Sequence, residues 1–274
     1  MKKTLIYHLY AGADFNENVA NKLHHNCLAR YNDVFDEVRF TIAVDDVRNY
    51  ELISSAIKWI VSIGFNCHAT YTVVENTDFR EVSTFDREIL KGYNSLDGAV
   101  FFGHNKGSTN IISPTGEVEP NIVRWISSMY FYNLQFIDEV EGFFTGKTRA
   151  AEVFYGTMLM HFTKKRTNWV HAMPNNLSGL EYAGTFYWIN IPKYRNSIKM
   201  GIIKEVEPDS RFFAEEYPGM FFERYAYGCG MTSHNDAMFE AVEFNPYFGN
   251  WEETALPVLG EGEEFNKFLI EMWP

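Results

Sequence analysis

Tyr10-Ala11-Gly12, Asp45-Asp46, Glu75-Asn76 and Gly103-His104-Asn105-Lys106-Gly107 each stand directly after a short run of β-branched and aromatic residues. Parallel strands bring their following loops to one edge of a sheet, so hydroxyl, carboxylate, amide and imidazole groups at those four places are positioned to hold a ligand together. Other chemistries fail on spacing. Gly142-Phe143-Phe144-Thr145-Gly146-Lys147-Thr148 ends like a phosphate-cradling P-loop, but three residues separate its glycines where four are needed, and Ile137-Asp138-Glu139-Val140-Glu141 before it is poor strand material. The eight histidines form no HExxH and no zinc pairing with cysteine. GxSxG, the strand-to-helix elbow of serine hydrolases, is absent.

The elements that must position these groups follow from periodicity. Residues 4–10, 38–44, 68–74 and 98–102 are rich in β formers and read as strands. Between them, the polar residues 14–18 offer caps for a helix running toward Tyr31. Leu52, Ile53, Ile57, Ile60 and Val61 form a helical stripe closed by Gly64, and residues 85–90 make a short helix. Strands alternating with helices predict βαβ units and a mostly parallel sheet. Beyond residue 103, helices are predicted over 121–134 and 150–162 and a strand over 185–191. No repeat or linker composition interrupts the 274 residues, which suits one continuous domain with an elaborated second half.

With 46% hydrophobic residues the chain has ample material for a core, which excludes disordered and collagen-like classes. Cys27, Cys67 and Cys229 are odd in number and dispersed, as expected of buried thiols in a reducing cytoplasm. His8 and the polar residues after it break the resemblance of the first residues to a signal peptide, and no run is apolar enough to span a bilayer, so a cytoplasmic, soluble protein is expected. The net charge of −12 is unevenly spread: residues 142–204 hold nine Lys/Arg against Glu152 and Glu181, whereas 205–274 hold three against fifteen acidic residues. A basic middle between acidic ends suits a phosphate-bearing ligand and leaves room for a larger anionic acceptor.

Residues 73–110 resemble a segment of the rhamnan-synthesis-type and algal-virus-type glycosyltransferases: a strand ending in Asn, a helix, a Tyr-Asp turn, a hydrophobic strand and a His-x-Lys loop. Residues 179–194 are similar to their small-Gly-x-Phe-Trp-Trp strand and 209–222 to their Arg-x-x-x-Glu segment, in the same order and over roughly half of the chain. The resemblance implies a GT-A-like α/β fold, a Rossmann-type nucleotide-binding half (1–110) merged with an acceptor-binding half (111–229), followed by an acidic extension (230–274). It implies an enzyme that moves a sugar from a nucleotide-sugar donor to a hydroxyl acceptor, a glycan or, through the basic stretch 142–204, a hydroxylated DNA base.

On this reading Tyr10, Glu75, Asn76, Arg80 and Arg87 contact the donor, and His104 and Lys106 stabilise the departing diphosphate where related enzymes carry a metal-binding Asp-x-Asp. No carboxylate occupies that turn, so activity without a divalent cation is expected, with Mn or Mg at Asp45-Asp46 as the alternative. Glu215, in register with Arg211, is the expected base for the acceptor hydroxyl and Glu216 its rival. Trp188 and Arg211 are expected on the acceptor. Alternation puts Phe186 and Trp188 on one face of their strand and Tyr187 on the other. A competing class is a non-catalytic nucleotide- or carbohydrate-binding protein on the same fold.

Overall fold

The structure, a computed structural model, describes residues 1–105, 112, 117–145, 153–156, 159–161, 180–182, 184–201, 206–208, 213–218, 228–229 and 263–273. Strands β1 (Lys3–Tyr10), β2 (Glu37–Val44), β3 (Ala69–Glu75) and β4 (Ala99–His104) lie parallel in the order β3-β2-β1-β4. Helix α1 (Val19–Arg30) links β1 to β2 and α2 (Tyr50–Ile63) links β2 to β3. Helix α3 (Glu81–Phe85), continued by a π turn over Asp86–Leu90, lies between β3 and β4. Beyond β4 the sheet changes sense: β8 (Tyr187–Asn190) runs antiparallel to β4 and to β5 (Phe154–Gly156), and β9 (Gly228–Cys229) pairs parallel with β5. β6 (Leu159–His161) and β7 (Leu180–Tyr182) form a separate antiparallel pair. A four-stranded parallel half with one reversed strand beside it is a Rossmann-type, mostly parallel α/β arrangement.

Local chemistry explains the elements. β1 and β4 are covered on both faces, and their near-continuous apolar runs are what such central parallel strands require. The Asn18 side chain caps α1 by accepting from the Ala20 and Asn21 amides, and Asn49 caps α2 through the Leu52 amide. Gly64 ends α2 at φ 72°, a left-handed position that a residue with a Cβ adopts only under strain.

Two layers enclose the sheet. On one face Tyr7, Phe40, Phe101, Phe186 and Trp188 meet α1, α2, α4 (Pro120–Tyr130) and Phe35. On the other, Phe102 and Tyr187 pack against Phe85 of α3, which also meets Phe213 and Tyr217 at α7 (Phe213–Glu216). A π turn over Phe131–Gln135 follows α4 and leads to α5 (Ile137–Thr145), and α6 (Ile191–Lys199) follows β8 directly. The last helix, α8 (Glu263–Met272), buries Phe265, Phe268 and Met272 against Tyr31, Phe131 and Tyr132. This end of the acidic segment is therefore built onto the domain.

Three expectations change. Where a helix is expected over 150–162, residues 154–156 and 159–161 are strands: Phe154 and Tyr155 are buried between β8 and neighbouring rings, and cross-strand packing overrides the helical spacing. The helix expected at 85–90 begins at Glu81, and its second half is the π turn in which the Lys91 amide reaches the Asp86 carbonyl. β4 continues through His104, which places that histidine in the sheet and not in the following turn.

Candidate functional site

The carboxyl ends of the parallel strands carry a connected set of polar groups. At the end of β1 the Tyr10 hydroxyl donates to Asp45, just past β2, at 2.9 Å, and the Asn76 amide, just past β3, donates to the other Asp45 oxygen at 3.0 Å. One carboxylate thus ties together the ends of three adjacent strands. Partial burial, followed by the bond to Asp45, raises the Tyr10 phenol to about 12. Gly12 makes this possible: a Cβ there would stand 3.0 Å from the Tyr10 ring. Arg80 lies close enough for its charge to act on Tyr10, and it holds φ 47°, an uncommon value for a residue with a side chain.

Past β4, Asn105 locks β1 to α1. Its oxygen accepts from the Tyr10 amide at 2.8 Å, and its nitrogen donates to the Tyr10 carbonyl and to Asn21 at 2.7 and 2.8 Å. The Asp46 carboxylate accepts from the Arg48 guanidinium and backbone amide, bonds that hold Asp46 below its usual range. Donors therefore already engage both Asp45 and Asp46, the pair considered for a cation. Among the described residues no three His, Cys, Asp or Glu side chains meet as metal ligands.

A second group lies under α3, on the inner face of the same strands. His8 of β1 and His104 of β4 are register partners, and the Thr41 partner of His8 on β2 extends the row. His8 shares a 2.9 Å hydrogen bond with Thr84, and burial lowers its imidazole to about 4. His104 donates from Nε2 to the Gly184 carbonyl at 3.0 Å, while its Nδ1 stands 3.9 Å from the Glu81 carboxylate. Glu215, buried in α7, accepts from the Gly184 amide at 3.0 Å.

These positions sort the expected site residues. Tyr10 and Asn76 meet at Asp45, with exposed Glu75 and Arg80 beside them. Arg87 turns inward instead: its guanidinium donates to Thr41 at 2.5 Å and to Glu88 at 2.9 Å, which draws it onto the sheet. His104 is buried with both ring nitrogens directed at protein groups, so the direct diphosphate contact expected of it gives way to a place in the buried group. Trp188 is wholly buried, stacks on Phe35 and donates its indole N–H to the Asn133 carbonyl at 2.9 Å. Its position is one of core packing, and a contact with an acceptor would require that packing to open. Phe186, Tyr187 and Trp188 do alternate faces as expected. Lys106 and Arg211 lie outside the described residues, as does the side chain of Glu216. Sequence reasoning missed Asn105 as a lock, Asp45 as a hub, and Glu81 altogether. Asp45 carried a signal in its place after a strand, whereas Glu81 had none.

No family model matches the chain, and no curated protein does. Among solved structures the chain is similar to a nucleoside-diphosphate-sugar pyrophosphorylase from Vibrio cholerae RC9, with 13% identity and a TM-score of 0.36 over 82% of this chain and 91% of that one. It is also similar to mouse xyloside xylosyltransferase 1 in its apo form, with 8% identity and a TM-score of 0.32 over 74% and 72%. Likeness at this level carries no chemistry across, and the reading that follows rests on the residues themselves.

Proposed function

We propose that this protein is a glycosyltransferase that moves a sugar from a nucleotide-sugar donor to a hydroxyl acceptor, most simply a glycan. The observation that carries the reading is the joining of Tyr10, Asp45 and Asn76 across three strand ends, with Arg80 at their side. Open parallel sheets bind ligands at this end. Tyr10 and Asn76 both donate to Asp45, so the groups they would offer a donor are acceptors, the tyrosine oxygen's lone pairs and the Asn76 side-chain carbonyl, matching ribose hydroxyls and base N–H groups. Arg80, and Lys106 from the segment after β4, supply positive charge for the diphosphate.

Transfer breaks the bond between the anomeric carbon and the diphosphate and forms one to the acceptor oxygen, whose proton needs a base. Glu215 is our choice for that base in an inverting reaction. Its buried carboxylate, fixed by the Gly184 amide, supports this choice, since a base must be held in one orientation to act. Among the described residues no helix is long and apolar enough to cross a membrane.

A panel of UDP, GDP, dTDP and CMP sugars, screened by thermal shift and then by donor consumption, tests the reading. A donor at about a hundred times its Kd should stabilise the fold by about 2.7 kcal/mol. Asp45→Ala and Asn76→Ala should remove most of that shift, and Glu215→Gln should keep the shift while losing turnover. Stabilisation without turnover of any donor would mark a binding protein. If no nucleotide sugar shifts the unfolding temperature, the proposal fails. Acceptor binding to duplex DNA that weakens steeply with salt would move the acceptor from glycan to DNA.

A further inference from the structure

Gly184 and Thr185 form a turn that the chain would not hold by preference. Gly184 sits at φ 91°, and Thr185, β-branched and wholly buried, sits at φ 60°. The Thr185 hydroxyl has no hydrogen-bond partner among the described residues, so its own side chain does not stabilise the turn. Two side chains from elsewhere clamp it at a single residue: Glu215 takes the Gly184 amide and His104 gives its Nε2 proton to the Gly184 carbonyl. A conformation of this kind persists only where its surroundings over-determine it.

A carbonyl only accepts, so the bond to Gly184 fixes a proton on His104 Nε2. The ring's other nitrogen then faces Glu81 at 3.9 Å, with both side chains about nine-tenths buried. An opposite charge at that range, shielded from water, favours the imidazolium, and an imidazolium is the stronger donor to Gly184. Other described residues near the ring are engaged as follows. His8 of β1, its register partner, also feels the Glu81 charge but is held neutral by burial, which outweighs it, and Arg87 from the π turn acts on His8 with positive charge. Glu215 of α7 is engaged with the Gly184 amide, and the β8 residue Tyr187 donates its hydroxyl to the Ala214 carbonyl.

We propose that Glu81 is a positioning residue: its carboxylate keeps His104 protonated, and protonated His104 holds the Gly184–Thr185 turn against which the Glu215 carboxylate is set. This rests on reading Glu215 as the base, but the physical link from Glu81 to Gly184 can be measured with no activity at all.

Nitrogen-15 NMR of the histidine rings provides that measurement. In the wild-type chain at neutral pH, His104 should carry protons on both nitrogens. In Glu81→Gln, which keeps shape and removes charge, the doubly protonated fraction of His104 at neutral pH should fall. The Gly184 amide, downfield and slow to exchange in the wild type, should exchange at least about tenfold faster in Glu81→Gln, equivalent to about 1.4 kcal/mol of lost protection. Glu81→Asp should recover part of both effects. A neutral His104 in the wild-type chain overturns the proposal even if Glu81→Gln does not fold. An unchanged Gly184 amide in a folded Glu81→Gln chain overturns it as well. With an active donor in hand, kcat against pH should shift in Glu81→Gln along with His104 protonation while KM for the donor holds within about twofold, and an unmoved profile refutes the positioning role. If the NMR effects occur and no donor is consumed, the glycosyltransferase reading falls while the Glu81 link stands.

Discussion

Replacing Gly184 by Ala tests whether the turn beneath Glu215 has the shape described. A Cβ at this position would stand 2.6 Å from the Met129 sulfur and 3.2 Å from a Trp125 ring carbon, on a backbone at φ 91°. The positive φ alone costs about 1–3 kcal/mol in a residue with a side chain. Crowding a filled core costs about 1–3 kcal/mol more, toward the low end here because a thioether can turn aside. The loss of glycine's freedom in the unfolded chain returns about 0.4–1 kcal/mol, too little to reverse the sign. Gly184→Ala should therefore destabilise by about 1–4 kcal/mol, a large part of a domain's usual total.

Equilibrium urea unfolding of Gly184→Ala, Met129→Ala and the double variant separates the contributions. Met129 is wholly buried, so Met129→Ala has its own cavity cost, but the double variant should be more stable than the sum predicts by about 1–2 kcal/mol, the part of the clash that involves the sulfur. The backbone part should remain. A Gly184→Ala chain within about 0.5 kcal/mol of wild type would refute both the positive φ and the close approach, and with them the clamp on Glu215.

Three further outcomes follow from buried or linked groups. His8 is lowered from its usual 6.5 to about 4, so the unfolded chain takes up a proton that the folded chain refuses. Its stability contribution is complete above pH 6.5 and lost as pH falls through 4, about 3 kcal/mol in all. His8→Gln should flatten the slope of urea midpoint against pH in that window, and an unchanged slope would mean that another group carries it. Asp45→Asn should bring the Tyr10 phenol down from about 12 without reaching 10, because burial outweighs the bond to Asp45, and a phenolate absorbance titration that does not move would break the Tyr10–Asp45 link. On the opposite face Tyr7, His24 and Tyr130 meet at 2.8, 3.0 and 3.1 Å; Tyr130→Phe leaves Tyr7 and His24 bonded to each other and should cost only about 1 kcal/mol by urea unfolding, whereas a loss above about 3 would show that the hydroxyl does more than close this triangle.

How far the sequence reveals such a molecule depends on whether the deciding interactions are local. The parallel half is legible because each of its elements carries its own signal. α2 runs from Tyr50 to Ile63 and stops at Gly64, as its stripe of apolar residues and the glycine require, and β1 to β4 fall within a residue or two of their β-rich runs. The placement of Tyr10, Asp45 and Asn76 follows from the same logic, since a residue after a parallel strand is carried to the ligand-binding edge whatever the rest of the chain does. The second half is less legible because pairing across distance decides it. Phe154 and Tyr155 become a strand only because β8 is there to receive them, and Trp188 becomes core only because Phe35 and Phe101 close over it.

His104 shows the same limit within the site. Its sequence neighbours make it look like part of an anion-binding turn, but one more residue of strand turns it beneath α3, toward Glu81. Parity along a strand inverts a side chain's role with a shift of one position, and no composition or motif records that parity. Glu81 was invisible for the converse reason. An acidic residue in a polar stretch reads as solvated surface, and only the packing of α3 against β1 and β4 turns it into a buried carboxyl group facing an imidazole. What the fold adds to the legible strand-end edge is thus a second layer, in which His104, Glu81 and Glu215 meet through Gly184.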